Sequence, residues 1–250
     1  MLEPGVVALV VATFFIGGFI KGTIGLGLPV VVLVSLTQML PVSDAVAVFL
    51  LPGILSNVWQ MTSGPYLPAL ARRLWPFLLA AIAGIVLGVE VLAGTQFNAA
   101  PILLGILLII YSLYSILAPR LPEPGANESW MAPVAAGTGG MLFAMTGIFI
   151  VPGILYLESL RFPRDQFVQA LGLVFIVISS TLAVSLARHS LLTWHHLVLS
   201  GIALGPVFSG LWLGRRVRHR ISEKGFRKVF FIALILVGMH MIWRGIHGGA

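Results

Sequence analysis

The chain is a succession of apolar runs with little soluble sequence between them, and that pattern fixes the solvent in which it can fold. Apolar segments fall at roughly 5–20, 24–38, 45–61, 74–92 and 99–118, then at roughly 131–145, 147–160, 167–186, 196–213 and 226–243. Only 9% of the residues are charged and 58% are hydrophobic, whereas a folded soluble domain keeps far more charge on its surface. The runs are continuous and lack the two-residue alternation of a barrel strand, so they are read as helices in a bilayer. The start, "MLEPGVVALVVATFFIGGF", has no basic n-region and no A-x-A site, and is read as the first span rather than a leader. No cysteine is present, which removes disulfides, thiolate metal sites and cysteine nucleophiles. The net charge of +7 comes from Lys and Arg in short loops, as membrane topology requires, and is no sign of a nucleic-acid partner.

The fold class expected is an all-α integral membrane protein of two inverted-topology repeats, each of about five helical segments, with the first pair in each repeat short or broken. The first membrane repeat is placed at 1–118, a linker "PRLPEPGANES" at 119–129, and the second repeat at 130–250. The two sets align at a constant offset of 122: Gly17, Gly18, Gly25 and Gly88 match Gly139, Gly140, Gly147 and Gly210, and Pro41 matches Pro163. An odd number of spans per repeat turns the halves over with respect to each other, a plan common among secondary transporters. The first two segments of each set hold about 14–16 residues, short of the ~20 that a straight span needs. They are therefore tilted spans, half-helices or re-entrant hairpins, and the full count is ten helices or fewer. Loop 214–228, with Arg215, Arg216, Arg218, Arg220, Lys224, Arg227 and Lys228, is expected on the cytoplasmic side of the membrane. Working outward from it, linker 119–129 is cytoplasmic and both termini are external, with Arg188 alone dissenting.

The stretch "GGFIKGTIGLGLP" at 17–29 places five glycines, a proline and a lysine inside apolar sequence, and "GGMLFAMTGIFIV" at 139–151 is its counterpart. Glycine costs a helix interior about 1 kcal/mol relative to alanine. Broken backbone at membrane depth survives only where it is covered by protein or lines a cavity. A break also frees N–H groups at the positive end of a half-helix, the makings of an anion site. Lys21 adds a cation that costs about 2.5–3.5 kcal/mol to insert at mid-membrane. Its competing role is that of a snorkelling lysine at a helix end. "KGT" lacks the G-x-x-x-x-G-K-[ST] order of a phosphate loop.

The segments "GGFIKGTIGLGLPVVVL" and "MLPVSDAVAV", with the weaker copies "GGMLFAMTGIFIVPGILY" and "RFPRDQFVQALGL", resemble the TauE/SafE sulfite exporter family over essentially the whole chain. The glycine triplet usual there is thinned to Gly25 and Gly27 in the first copy and to Gly147 in the second. The second copy carries Leu142 and Phe143 where the first has Lys21. The resemblance implies transport of sulfite or a related sulfur-containing or organosulfonate anion across the inner membrane, by alternating access between the halves.

An oxyanion offers only acceptors, so its site needs hydroxyl and amide donors, backbone N–H groups and one or two cations. The candidate substrate-binding set is Lys21, Thr23, Gly25, Gly27, Asn57, Gln60, Thr146, Gly147, Ser179 and Gln169. Ser56, Asn57 and Gln60 form one polar strip, and Ser179 stands opposite Asn57 in the repeat. The competing role of such residues is to hold helices together. Asp44 and Asp165 are expected as N-caps and Glu158 as the partner of Arg161. His189, His195 and His196 are expected at helix ends, and Glu90 is the one acid placed to titrate within a span. No cofactor and no metal site is expected, and the partners are a small anion and the lipid bilayer, with a homodimer compatible with this reading. No Ser–His or Asp–Asp constellation supports an intramembrane enzyme. The alternative is a proton-coupled importer of an organic anion.

Overall fold

The structure is a computed structural model describing residues 4–24, 27–62, 64–94, 100–117, 121–217 and 223–247. Every regular element among them is helical: α1 (Pro4–Ile24), α2 (Leu28–Leu36), α3 (Val42–Thr62), α4 (Leu67–Gly94), α5 (Ala100–Leu117), α6 (Glu128–Thr146), α7 (Leu155–Ser159), α8 (Arg164–Arg188), α9 (Trp194–Val217) and α10 (Glu223–His247). Within α1, α3, α4, α8 and α9 lie five stretches long and apolar enough to cross a membrane, and shorter apolar stretches occupy Ile102–Leu117 and Phe231–Ile246. The protein is a multi-pass membrane protein. Within the stretch 121–129 a 3-10 turn at Gly125–Asn127 leads directly into α6 at Glu128.

The first break falls later than the glycine pairs suggest. α1 runs through Gly17, Gly18, Lys21 and Gly22 to Ile24, and the chain reverses at Gly27, whose left-handed φ of 104° caps α2. Pro29 then sits in the first turn of α2, where its missing N–H is harmless. In the second half Gly147 (φ 72°) ends α6, and the return strand of the hairpin is a wide-turn segment at Ile150–Ile154, non-helical at Val151, followed by α7. α2 spans nine residues, about 13 Å, less than half of a ~30 Å hydrocarbon core.

The Gly-Gly pairs inside α1 and α6 act as packing surfaces. A Cβ on Gly17 would press on Leu28 and Val31 of α2, and one on Gly139 would press on Phe149 and Gly153. A Cβ on Gly18 would strike the Val207 carbonyl of α9, and one on Gly140 the Ala81 carbonyl of α4. Each pair thus lets one helix meet its own hairpin partner and a distant helix at backbone distance, the small-residue packing of membrane helices.

Helix directions follow from these contacts. Gly18 meets Val207, Gly22 meets Leu211, Gly210 meets Phe15 and Gly214 meets Phe19, so α1 and α9 are parallel. Gly84 against Gly137 and Gly88 against Met141 make α4 and α6 parallel. α3 and α9 share both ends, through Asp44 with His196 and Trp59 with Arg215. α4 and α8 do the same, through Glu90 with His189 and Arg73 with Phe162. α3 is antiparallel to α8, where Gly172 faces Met61 and Gln169 reaches Gly64. Hence α1, α3 and α9 point one way, and α4, α6 and α8 the other. Exchanging α1 with α6, α3 with α8, α4 with α9 and α5 with α10 swaps α1·α9 with α4·α6 and α3·α9 with α4·α8, and leaves α3·α8 and α5·α10 as they are.

One end of the bundle gathers Arg73, Arg161, Arg215 and Arg216. Arg188 lies at the other end, and so does Arg244, which reaches the Gln38 carbonyl beyond α2; it is a second dissenter that the loop-by-loop reading overlooked. Arg161 pairs with Glu123 at 3.0 Å rather than with Glu158. Asp44 and Asp165 occupy the first turns of α3 and α8 and are not their caps, the residue before α8 being Pro163.

Gly18→Val and Gly140→Val should each lower the melting temperature in detergent, since overpacking against backbone costs about 1–3 kcal/mol. Gly205→Ala, where an added Cβ meets nothing within 4 Å inside α9, should not lower it and should raise it slightly through alanine's helix preference. Thermal unfolding followed by tryptophan fluorescence compares the three.

Candidate functional site

Lys21 lies in the last turn of α1 and is buried. Its ammonium donates to Ser56 Oγ at 2.9 Å and to Asn57 Oδ1 at 2.5 Å, both on α3. Ser56 and Asn57 are themselves buried, and Ser56 passes its own proton to the Gly53 carbonyl at 2.9 Å. The two side chains that hold the cation are therefore neutral. None of the four ion pairs among the described residues involves Lys21, and none of the described carboxylates is buried. An ammonium has three donors, and two are taken. The result is a lysine head group enclosed by neutral partners, with one donor open to a further acceptor.

The other candidates distribute around this point. Thr23 is buried and bonds back to the Ile20 carbonyl at 2.8 Å. Gly27 forms the reversal itself, while Gly25 lies outside the described residues. Gln60, one turn beyond Asn57 on α3, donates to the Val168 carbonyl of α8 at 3.0 Å. Gln169 is fully engaged: its amide nitrogen donates to the carbonyls of Met61 (2.7 Å) and Gly64 (2.6 Å), and its oxygen accepts from the Tyr66 N–H at 2.9 Å. That side chain ties the α3–α4 turn to α8. With Gly172 opposite Gln60 and Met61, the antiparallel register puts Ser179 about one turn, ~5 Å along the axes, from the level of Asn57. Ser179 Oγ is buried with no hydrogen-bond partner among the described residues.

Thr146 and Gly147 do not join the Lys21 cluster. Thr146 Oγ1 donates to the Leu142 carbonyl at 2.7 Å and accepts from the Ile148 N–H at 3.3 Å. A Cβ on Gly147 would meet Leu33 and Val46. Val46 precedes Ser56 by ten residues, about 15 Å along α3. The second hairpin is also packed differently. Phe143, 122 residues after Lys21, is fully buried and meets Phe149 edge-on at 6.2 Å; Phe149 meets Phe77 at 5.9 Å and Phe175 at 6.5 Å. Tyr156 stacks on Phe77 at 5.3 Å. One hairpin encloses a cation and the other an aromatic cluster.

Two features escaped sequence reasoning. Ser56, read only as part of a strip, is a direct partner of Lys21. Arg215, read as a topology marker, lies over the Trp59 ring at 5.2 Å and has its backbone against Gly22, next to Lys21. The glycine spacing 18/22 and 210/214 was the available signal for that proximity.

A helical bundle of many spans, with a broken helix and a buried cation held by neutral donors and acceptors, defines a membrane protein of the transporter class. The chain belongs to the sulfite exporter TauE/SafE family, whose model matches residues 9–241. No curated protein and no solved structure matches the chain significantly.

Gln169→Ala should destabilise the protein by about 1–3 kcal/mol, because it strips partners from three backbone groups at the α3–α4 turn. Lys21→Met should not lower the melting temperature without added anion, since it removes a buried charge that has no acid partner. Thermal unfolding of purified protein reads both.

Proposed function

We propose that the protein moves sulfite or a related small sulfur oxyanion or organosulfonate outward across the bacterial inner membrane, with Lys21 as the charge that receives it. The observation that carries this reading is a buried ammonium held by Ser56 and Asn57 with no carboxylate beside it among the described residues. An oxyanion would complete the ammonium's hydrogen bonds and neutralise its charge in a low-dielectric setting. Asn57 Nδ2 and the N-terminal turn of α2 supply further donors within the same region.

In this reading residues 1–118 and 130–250 are two inverted halves, and they rock about the α3·α8 crossing to expose the site alternately. The exchange symmetry of the helix pairings and the matched packing of Gly17 with Gly139 and Gly18 with Gly140 support it. The end that gathers Arg73, Arg161, Arg215 and Arg216 is the cytoplasmic one, which leaves both chain termini outside. Export needs no coupled ion. At an inside-negative potential one negative charge moving outward gains about 2.3 kcal/mol per 100 mV. A proton-coupled importer would need a titrating acid within the membrane; Glu90 is exposed and paired with His189, and favours the exporter instead. Covalent catalysis is not part of this reading.

In proteoliposomes under an imposed potential, the wild type should carry an electrogenic sulfite flux that does not depend on a pH gradient. Lys21→Ala should reduce it at least about a hundredfold, the scale of a buried charged hydrogen bond of about 3 kcal/mol. Undiminished flux in that variant, or flux that collapses with the pH gradient, would overturn the reading.

A further inference from the structure

We propose that Arg215 is the second cation of the anion path, taking the oxyanion at the mouth of the site before Lys21 receives it, with Trp59 holding the guanidinium in place. This rests on the anion-transport reading given above and adds to it a residue, an order of contact and a preference for anions with several terminal oxygens.

The geometry begins with four glycines. Gly18 and Gly22 on α1 face Gly210 and Gly214 on α9, and each would clash with the opposing backbone if it carried a Cβ. Two parallel helices at that distance have little freedom to slide. Gly22 lies against the backbone nitrogen of Arg215, so the residue before Gly22, Lys21, and Arg215 belong to adjoining turns. Two cations so placed repel each other, and among the described residues neither forms an ion pair. An anion that touches both removes the repulsion and completes both sets of donors.

The two cations differ in setting. Lys21 is enclosed and fixed by Ser56 and Asn57. Arg215 is exposed, and its guanidinium lies 5.2 Å from the centroid of the Trp59 ring, itself exposed on the last turns of α3. A stacked guanidinium keeps its edge N–H groups free, and the planar fork suits two oxygens of one anion. A small oxyanion can therefore be gripped at Arg215 while still hydrated on its far side, and then lose that water on passing to Lys21. Trp59 and Asn57 are two residues apart on α3, which joins the two stations through one helix. Arg216 provides the contrast. Its guanidinium lies over Trp212 on its own helix at 5.2 Å, an interfacial arrangement with no tie to α1 or α3.

The test is the concentration dependence of sulfite flux in proteoliposomes, with wild type, Arg215→Gln, Arg215→Lys, Trp59→Leu and Arg216→Gln. Arg215→Gln should raise KM about tenfold or more, the scale of one charged hydrogen bond, and leave kcat within about twofold. Arg215→Lys should fall between it and wild type, and Trp59→Leu should raise KM without removing any charge. Arg216→Gln should match wild type. An unchanged KM in Arg215→Gln, or an equal rise in Arg216→Gln, overturns the proposal, the second because it would mark a diffuse surface-charge effect. If Arg215→Gln does not fold, the KM of Arg215→Lys and Trp59→Leu decides in its place, wild-type values in both overturning the proposal. Absence of sulfite flux in the wild type would instead sink the transport reading on which this one stands.

Discussion

The close approach of α1 and α9 is the contact on which the rest of this molecule depends. In lipid there is no hydrophobic drive between helices, so association relies on dispersion and on backbones that come near enough to use it. Gly18 and Gly22 against Gly210 and Gly214 provide such a surface, and any side chain larger than hydrogen would force the pair apart. The same contact fixes where the C-terminal turn of α1 lies, and with it the depth and direction of Lys21. α3 packs on α9 as well, through Ser200 bonded to the Val48 carbonyl at 2.9 Å. Ser56 and Asn57 are thereby presented to the ammonium by a helix that α9 also positions.

The two halves share this packing scheme but not its contents. Where α1 brings a lysine to the hairpin, α6 brings Phe143 against Phe149 of the α6–α8 connection, and rings from α4 and α8 close around Phe149. A single cation in a pseudo-symmetric frame is electrostatically sensible. Two buried ammonium groups near one midplane would repel strongly at low dielectric. The aromatic side bears no charge and so presents no competing anion site. Between the two, Ser179 keeps a buried hydroxyl with no partner among the described residues, near the level of Asn57.

Much of this was legible in the chain. The ten apolar segments correspond to nine long or short helices and one broken stretch, and the reversal points sit within the two glycine-rich motifs. The glycines themselves were misread, because a Gly-Gly pair in sequence looks the same whether it breaks a helix or flattens one face of it. Gly27 and Gly147 take positive φ, Gly27 capping the start of α2 and Gly147 the end of α6, while Gly17, Gly18, Gly139 and Gly140 stay helical and carry neighbours. Gln169 was read as a candidate for the substrate site, but its amide is taken up by three backbone groups of a turn about a hundred residues earlier. Arg215 was hidden by its company, one of seven basic residues in a loop that topology alone explains.

The sequence by itself determined the solvent, the helical class, the internal offset and the presence of a costly lysine inside a span, because these follow from hydropathy and local backbone preference. Tertiary structure decided which glycines turn the chain and which pack it, that Lys21 is met by Ser56 and Asn57 with no acid beside it among the described residues, and that the Arg215 backbone lies against Gly22. The reason is distance along the chain. Lys21 reaches its partners on α3 across 35 and 36 residues, and Gly22 beside it meets the Arg215 backbone from the far half, so only the packing of α1 on α9 could bring these segments together.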